Sequence, residues 1–213
     1  SSYVIQNYPT AEAYFDHLLT SDDVIDVAPI NKRYTGLTTY SAYLAGIKHD
    51  MRIIEFEPYQ YINIRRLEKL GFTKEKLREY GSHVWSYLVD DRYFTIQSIR
   101  NDGFTSELDV LGFGDLFYAS LLKEDGRFSW QRVGNAVVLN PKGNSFTVHD
   151  FLVDYITNAG SVDVDDFSLA LRETFGIELD RYAIVEKVKG SDVYYDSIME
   201  KLYADYSLYF EEI

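Results

Sequence analysis

One order of segments recurs along the chain and limits the folds open to it: a helix end, a polar break, an arginine and a β-rich run. It occurs where Ala45–Arg52 precedes Ile53–Phe56, and again where Ser120–Arg127 precedes Phe128–Trp130. A looser copy covers residues 184–195. An internal period of this kind indicates stacked units of similar construction, here of about 65 to 75 residues.

The middle of the chain carries the clearest copy. Apolar residues at spacings of three and four predict helices over residues 73–89, 95–101 and 114–123. Two alternating runs then flank Gly134-Asn135, a pair that favours the tight turn of a β-hairpin. Three helices followed by a hairpin are the order of a winged helix.

The outer thirds show the same elements. Helices are predicted over 10–19 and 36–49 in the first third, with a hairpin around Glu57-Pro58. The last third predicts three helices, a short strand at 193–195 and an aromatic helix over 197–212. The expected fold is mainly α with short β-hairpins (α+β), arranged as tandem winged-helix-like modules. Their expected bounds are residues 1–72, 73–143 and 144–213, the last being an acidic helical module.

Composition excludes several classes of protein. The 213 residues contain no cysteine, which removes disulfides, thiol catalysis and Cys-based metal sites and fits a reducing compartment. No apolar run approaches the roughly 20 residues of a membrane helix, so a cytoplasmic protein without a membrane role is expected. The chain starts with Ser1 rather than Met, and we therefore expect it to be a piece of a longer protein.

The net charge of −13 is distributed unevenly. Residues 1–72 carry a net charge of −2 and residues 73–143 a net charge of −1, whereas residues 144–213 carry −10. A chain of this charge is repelled by a phosphate backbone unless its acidic part faces away. The charge of the first two thirds is therefore compatible with binding of double-stranded DNA, and the acidic last third suits a basic protein partner.

Two segments carry a resemblance to known families. Leu121–Phe128, followed by Arg132–Leu139, resembles winged helix-turn-helix modules, in particular HARE-type domains found beside bacterial RNA polymerase and chromatin proteins. The ending, Val193–Tyr206 and Tyr209–Ile213, is similar to C-terminal regions of bacterial sigma-factor-like DNA-binding proteins. The resemblance implies a non-catalytic, transcription-associated role, either binding DNA or associating with RNA polymerase, as the C-terminal part of a longer bacterial regulator. The charge departs from that pattern, because a winged helix that binds DNA usually shows a basic recognition face.

The best DNA-contact candidates surround the helix predicted over residues 36–49. Hydroxyls and cations near its N-terminus would meet phosphates where free amides and the helix dipole favour anions. Further cations lie at its end and on the predicted second hairpin. The DNA-contact set is Lys32, Arg33, Thr35, Thr38, Thr39, Lys48, Arg52, Arg127 and Arg132. The competing interpretation is a helix cap surrounded by ordinary surface cations.

The final predicted helix combines tyrosines with carboxylates. Tyr offers large apolar area together with a hydroxyl that tolerates water, which suits protein contacts. The partner-contact set is Tyr203, Tyr206, Tyr209, Glu211 and Glu212. This helix either docks on a basic protein or packs back on its own module. The alternative function for the whole chain is a protein-interaction scaffold that keeps the winged-helix fold and binds no nucleic acid.

The sequence lacks the common motifs of metal-dependent, phosphate-binding and serine-dependent enzymes. The four histidines have no ligand spacing typical of a metal site, and no Gly-rich phosphate loop or GxSxG elbow occurs. Asp163, Asp165 and Asp166 are better explained as an acidic first turn of a helix than as a cation loop. We therefore expect neither catalysis nor a metal or other cofactor.

Overall fold

The computed structural model describes residues 7–141 and 143–212, and its chain is divided between two compact units. The first unit contains the described residues up to Tyr87 together with Ser106–Asp125. The second contains Leu88–Thr105 and the described residues from Gly126 onward. This division differs from the predicted bounds at residues 72 and 144, because residues 88–105 and 106–125 belong to different units. The chain mixes helices with small antiparallel sheets, which agrees with the predicted α+β class.

The first repeat, residues 11–63, builds a three-stranded sheet flanked by helices. Its β3 lies between β1 and β2, and both pairings are antiparallel. The predicted hairpin around Glu57-Pro58 is confirmed as β2–β3. The elements are α1 (Ala11–Thr20), β1 (Val24–Asp26), α2 (Ala28–Tyr34), α3 (Thr38–His49), β2 (Ile53–Glu57) and β3 (Gln60–Asn63), and α4 (Ile64–Glu68) follows them.

The middle repeat, residues 74–140, has a related order, but it adds a 3₁₀ helix and has no assigned strand between its first two helices, and its elements are divided between the units. Its elements are α5 (Lys74–Tyr87), α6 (Ile96–Asn101), a 3₁₀ helix (Glu107–Leu111), α7 (Asp115–Lys123), β4 (Ser129–Val133) and β5 (Ala136–Asn140). The β4–β5 hairpin confirms the turn predicted at Gly134-Asn135. An isolated antiparallel bridge joins Phe94 to Leu139, so that β5 lies between β4 and the extended residue that precedes α6.

The last repeat, residues 148–203, has the strand arrangement of the first. Strand β8 lies between β6 and β7, again with antiparallel pairing. The elements are α8 (Val148–Ala159), β6 (Ser161–Asp163), α9 (Val164–Phe175), α10 (Arg181–Val188), β7 (Tyr194–Asp196) and β8 (Lys201–Tyr203), and the helix α11 (Tyr206–Glu212) follows them. Helix, short strand, two helices and a hairpin thus occur in the same order in the first and last repeats.

The continuous helix predicted over residues 197–212 is wrong. Residues 197–200 form the turn of the β7–β8 hairpin, and only α11 is helical. The buried Asp196 carboxylate accepts the backbone N–H groups of Ile198 and Met199 at 2.8 and 3.1 Å, which stabilises the turn. Glu200 then adopts a left-handed φ of 53°, which interrupts a helix. The apolar spacing that predicted the helix arises because residues of the hairpin and of α11 happen to follow the same period.

The first unit has its core between α1, α3 and the β1–β3–β2 sheet. Phe15, Tyr40 and Ile53 are buried there together with neighbouring aliphatic side chains. Helix α7 packs on β2 in the same unit and buries all of residues 117–122. Tyr118 and Ala119 are among these buried residues.

The core of the second unit joins the β4–β5 hairpin to the last repeat. Val133 and Val138 are buried in one cluster with side chains of α8, α9 and α10. Helix α6 also contacts α9: the side-chain amides of Gln97 and Asn101 donate to the carbonyl oxygens of Glu173 at 2.9 and 3.0 Å. These amides satisfy carbonyls that the end of a helix leaves without partners.

One ion pair in the first unit is nearly buried. The ammonium of Lys123 on α7 lies 3.1 Å from the carboxylate of Glu55 on β2, and the two side chains are 10% and 12% exposed. Charges removed from water in this way depend on each other, because a single unpaired charge would keep the full desolvation penalty.

Lys123→Met should lower the free energy of unfolding by about 3–5 kcal/mol, because it leaves Glu55 as an uncompensated buried charge. The double variant Lys123→Met/Glu55→Leu should recover most of that loss. Urea denaturation followed by circular dichroism measures both. Lys69→Met is the matched control: its pair with Asp23 is 3.7 Å long and exposed, so its loss should stay below about 1 kcal/mol. Equal losses in the single and double variants would contradict the interpretation.

Candidate functional site

The predicted DNA-contact residues before α3 lie at the surface. Lys32 and Arg33 are exposed in the last turn of α2, and the Arg33 guanidinium lies 5.4 Å from the centre of the Tyr34 ring. In the described chain neither cation is within ion-pair distance of a carboxylate. The Thr35 hydroxyl donates to the Asn31 carbonyl at 2.7 Å. The two cations are therefore available for an external anion, while Thr35 is engaged in its own turn.

Helix α3 presents an exposed face of small, mostly neutral side chains. Thr38 and Thr39 are exposed in its first turn, as predicted. The other exposed residues of this helix are Ser41, Ala42, Ala45, Gly46 and His49. The face contains no Arg, Lys, Asn or Gln, the side chains that read base edges most often.

The two cations predicted at the end of α3 are less available. Lys48 is half-buried, and its ammonium lies 5.9 Å from the centre of the Tyr61 ring. Arg52 reaches back to α1: its guanidinium lies 2.5 Å from the Asp16 carboxylate and donates to the Tyr43 hydroxyl at 3.1 Å. Arg52 thus belongs to an internal network instead of a free cationic surface.

The hydroxyl of Tyr43 also donates to Asp16 and closes this network. This hydrogen bond, together with Arg52, lowers the pKa of Asp16 below its ordinary value, although burial opposes the change. Burial and the Asp16 carboxylate raise the pKa of Tyr43. The network joins α1, α3 and the residue that enters β2, and its arrangement indicates a structural role.

The DNA-contact residues of the middle repeat belong to the second unit. Arg132 is exposed on β4, whereas Arg127 is half-buried and makes other contacts. Trp130, also on β4, is 44% exposed. The nine predicted DNA-contact residues are therefore distributed between two units, and only some of them offer a free side chain.

An aromatic surface, defined here as Tyr194, Tyr206, Tyr209 and Phe210, lies where α11 packs on the last sheet. The Tyr194 ring centre is 4.7 Å from those of Tyr206 and Tyr209, and the Tyr206 and Phe210 ring centres are also 4.7 Å apart. Tyr206 is 51% and Phe210 56% exposed, so that two rings of the cluster face water. Sequence reasoning missed Phe210 and Tyr194, although Phe210 lies one residue from Tyr209.

The predicted partner-contact set needs one correction. Tyr203 is only 2% exposed, because its ring packs below Tyr209 as part of β8, and it cannot contact a partner from there. Glu211 is exposed, and the side chain of Glu212 lies outside the described part of the structure. Asp205 begins α11 by accepting the N–H groups of Ser207 and Leu208 at 2.7 and 3.1 Å. Hydrogen bonding, first from the Ser207 side chain, lowers the pKa of Asp205.

The first unit also contains a concave surface. An open cleft of about 300 Å³ lies between α5 and the 3₁₀ helix, lined by Lys76, Glu79, Tyr80, His83 and residues 106–108. Within the described residues, no three His, Asp or Glu side chains come together as a metal site. None of the helices that the structure describes has both the length and the apolar character needed to cross a bilayer.

Comparison of the chain with protein-family models, curated proteins and solved structures gives no significant match.

The network around Asp16 predicts a pH dependence of stability. Because folding lowers the pKa of Asp16, its contribution is complete above the pKa of the unfolded chain, near pH 4, and is lost as the pH falls further. Asp16→Asn should unfold at a lower temperature at neutral pH and show a flatter decline of stability below about pH 4. Thermal unfolding across this range measures both effects. Asp22→Asn, at an exposed position nearby, should keep the wild-type slope; a wild-type slope in Asp16→Asn would contradict this role.

Proposed function

We propose that the protein is a non-catalytic protein-interaction module built from three winged-helix-like repeats. The order of helix, short extended segment, two helices and hairpin supports this proposal, as does the central position of the second hairpin strand in each set of strands. The resemblance to HARE-type modules favours a transcription-associated protein, such as RNA polymerase, as the partner.

The observation that carries the proposal is the character of the helix before each hairpin, which in a DNA-binding winged helix enters the major groove. The exposed face of α3 is small and nearly neutral, and α7 is mostly buried. The exposed side chains of helix α10 are Tyr182, Glu186 and Lys187, so that its exposed face has one basic side chain, in the last turn. Direct base readout needs several Arg, Lys, Asn or Gln side chains on one face. These helices are therefore better suited to contacts with protein.

The charge of the last third of the chain indicates the chemistry of the partner. Residues 144–213 contain 15 acidic and 5 basic side chains, which repels nucleic acid and attracts a basic protein surface. The exposed rings of Tyr206 and Phe210 lie on the helix that carries Asp205 at its start and Glu211 near its end. Arg side chains bind well to such a surface, because they stack on aromatic rings while they pair with carboxylates.

A fluorescent peptide of alternating Arg and Gly tests this surface. The full chain should bind the peptide more weakly as salt rises, and Tyr206→Ala/Phe210→Ala should weaken binding about tenfold. Glu211→Lys, which leaves the rings in place, should also weaken it. Fluorescence anisotropy measures the affinities, and Tyr59→Ala/Leu70→Ala removes equally exposed apolar side chains of the first unit as a control. Equal affinity in all variants would contradict the assignment of the partner surface.

DNA binding by the first repeat is a second candidate function. It is favoured by Lys32 and Arg33, which are exposed in the last turn of α2, the helix before α3, and have no carboxylate partners in the described chain. Two cations of this kind can hold a phosphate but supply no base readout.

Labelled duplex DNA titrated with the full chain at low and high salt separates the two functions. If the first repeat binds DNA, Lys32→Glu/Arg33→Glu should weaken binding and flatten its salt dependence. Lys187→Glu/Lys189→Glu changes the net charge equally in the last repeat and should have little effect. If the chain is the protein-interaction module proposed above, no DNA should bind even at low salt; tight, salt-dependent binding by the wild type would overturn that proposal.

A further inference from the structure

The tip of the β7–β8 hairpin holds two apolar side chains in water. Ile198 is 90% exposed and Met199 61% exposed. They follow each other in a turn of four residues, where polar side chains are usual. Single exposed apolar residues need no explanation, but two adjacent ones on a projecting turn form a small contact surface. We call Ile198 and Met199 the hairpin tip.

The turn that carries the hairpin tip is fixed from inside. Asp196, only 7% exposed, uses one carboxylate oxygen to accept the N–H groups of both tip residues. Glu200 closes the turn in a left-handed conformation, its carbonyl accepts the Val164 N–H at 3.0 Å, and its carboxylate pairs with Arg181. A buried acid and an unfavourable backbone conformation together hold the apolar pair outward. Strain of this kind persists where the surrounding structure enforces it, and it is concentrated at functional positions.

The surroundings of the hairpin tip are acidic. The start of α9 lies against Glu200, and Asp163, Asp165 and Asp166 cluster there. Asp163 is opposite Lys201 in the sheet, and Arg181 lies between Glu200 and Asp165. Among the described residues, this end of the sheet thus brings together five carboxylates, including those of Asp196 and Glu200, and the two cations Lys201 and Arg181. Acidic surroundings oppose insertion into DNA or an anionic membrane and attract an apolar surface bordered by positive charge.

We propose that the hairpin tip is a docking point for a basic amphipathic helix of a partner protein. In this complex Ile198 and Met199 contact the apolar stripe of the helix, and the carboxylates near the tip pair with Lys or Arg side chains that flank the stripe. This inference rests on the proposed protein-interaction function and adds a contact separate from the aromatic surface. The stripe of such a helix offers grooves between side chains at spacings of three and four, which match two adjacent side chains in size. Met adapts its shape to such a surface.

The probe is a helical peptide of Leu and Lys with one apolar stripe, measured by fluorescence anisotropy with the full chain. Ile198→Ser/Met199→Ser should weaken its binding about tenfold or more, since both side chains lose apolar contact. Asp165→Asn/Asp166→Asn should weaken it less and flatten the salt dependence. Leu70→Ser/Val110→Ser, which removes two comparably exposed apolar side chains of the first unit, should leave binding unchanged.

Several outcomes would overturn the proposal. They are equal peptide affinity in the wild type and the hairpin-tip variant, an equal affinity for a peptide of Leu and Glu, and binding of duplex DNA or phosphatidylserine vesicles that depends on the hairpin tip. Asp196→Asn provides a second test, because it keeps the apolar pair and weakens the turn; it should lower the affinity for the Leu and Lys peptide. Weaker binding of the Arg and Gly peptide by Tyr206→Ala/Phe210→Ala tests the aromatic surface alone. The failure of one proposal is therefore distinguished from the failure of the other.

Discussion

In each repeat a short extended segment pairs with the second strand of a hairpin, and the strand arrangement of the repeat depends on this pairing. A two-stranded hairpin is marginally stable alone, and a third strand together with helices gives it a core. Strand β1 supplies this pairing to β3, Phe94 supplies it to β5, and β6 supplies it to β8. In the first and last repeats the short strand lies between two helices in the chain, so the pairing connects the helices of the repeat to its hairpin through few residues.

The three repeats use this common arrangement for different surfaces. The helix before the hairpin presents an exposed, nearly neutral face in the first repeat, is mostly buried in the middle one, and exposes side chains of mixed charge in the last. Because α7 packs on β2, this helix is part of the core of the first unit. Lys123 and Glu55 form an ion pair there. The last repeat instead concentrates carboxylates and exposed apolar groups. The differences lie in side chains, while the strand order is retained.

Elements with their own local signal could be predicted from the sequence. Gly134-Asn135 between alternating runs indicated the β4–β5 hairpin, and the helices predicted in the last third include α8 and α9. Three-residue strands such as β1 and β6 are too short to show a period. The turn at residues 197–200 depends on the Asp196 carboxylate, which periodicity does not detect. The fold class followed from local patterns, but the tip of the last hairpin did not.

The candidate surfaces were predicted in part, because residue type does not reveal the partners that a fold supplies. Lys32 and Arg33 are exposed as expected, whereas Arg52 is held by Asp16 and Tyr43 from residues distant in sequence. Tyr203 and Tyr206 share a residue type and a predicted helix, yet one is buried in a strand and the other is exposed on α11.

The division of the chain between two units has a consequence for its synthesis. The first unit lacks α7 until residue 125 has left the ribosome, and by then Leu88–Thr105 has already emerged. That segment carries Phe94, Ile96 and Ile99, which are buried in the finished protein. Its partner β5 and the end of α9 are made later. An apolar segment is therefore exposed for part of translation, when such segments aggregate or bind chaperones.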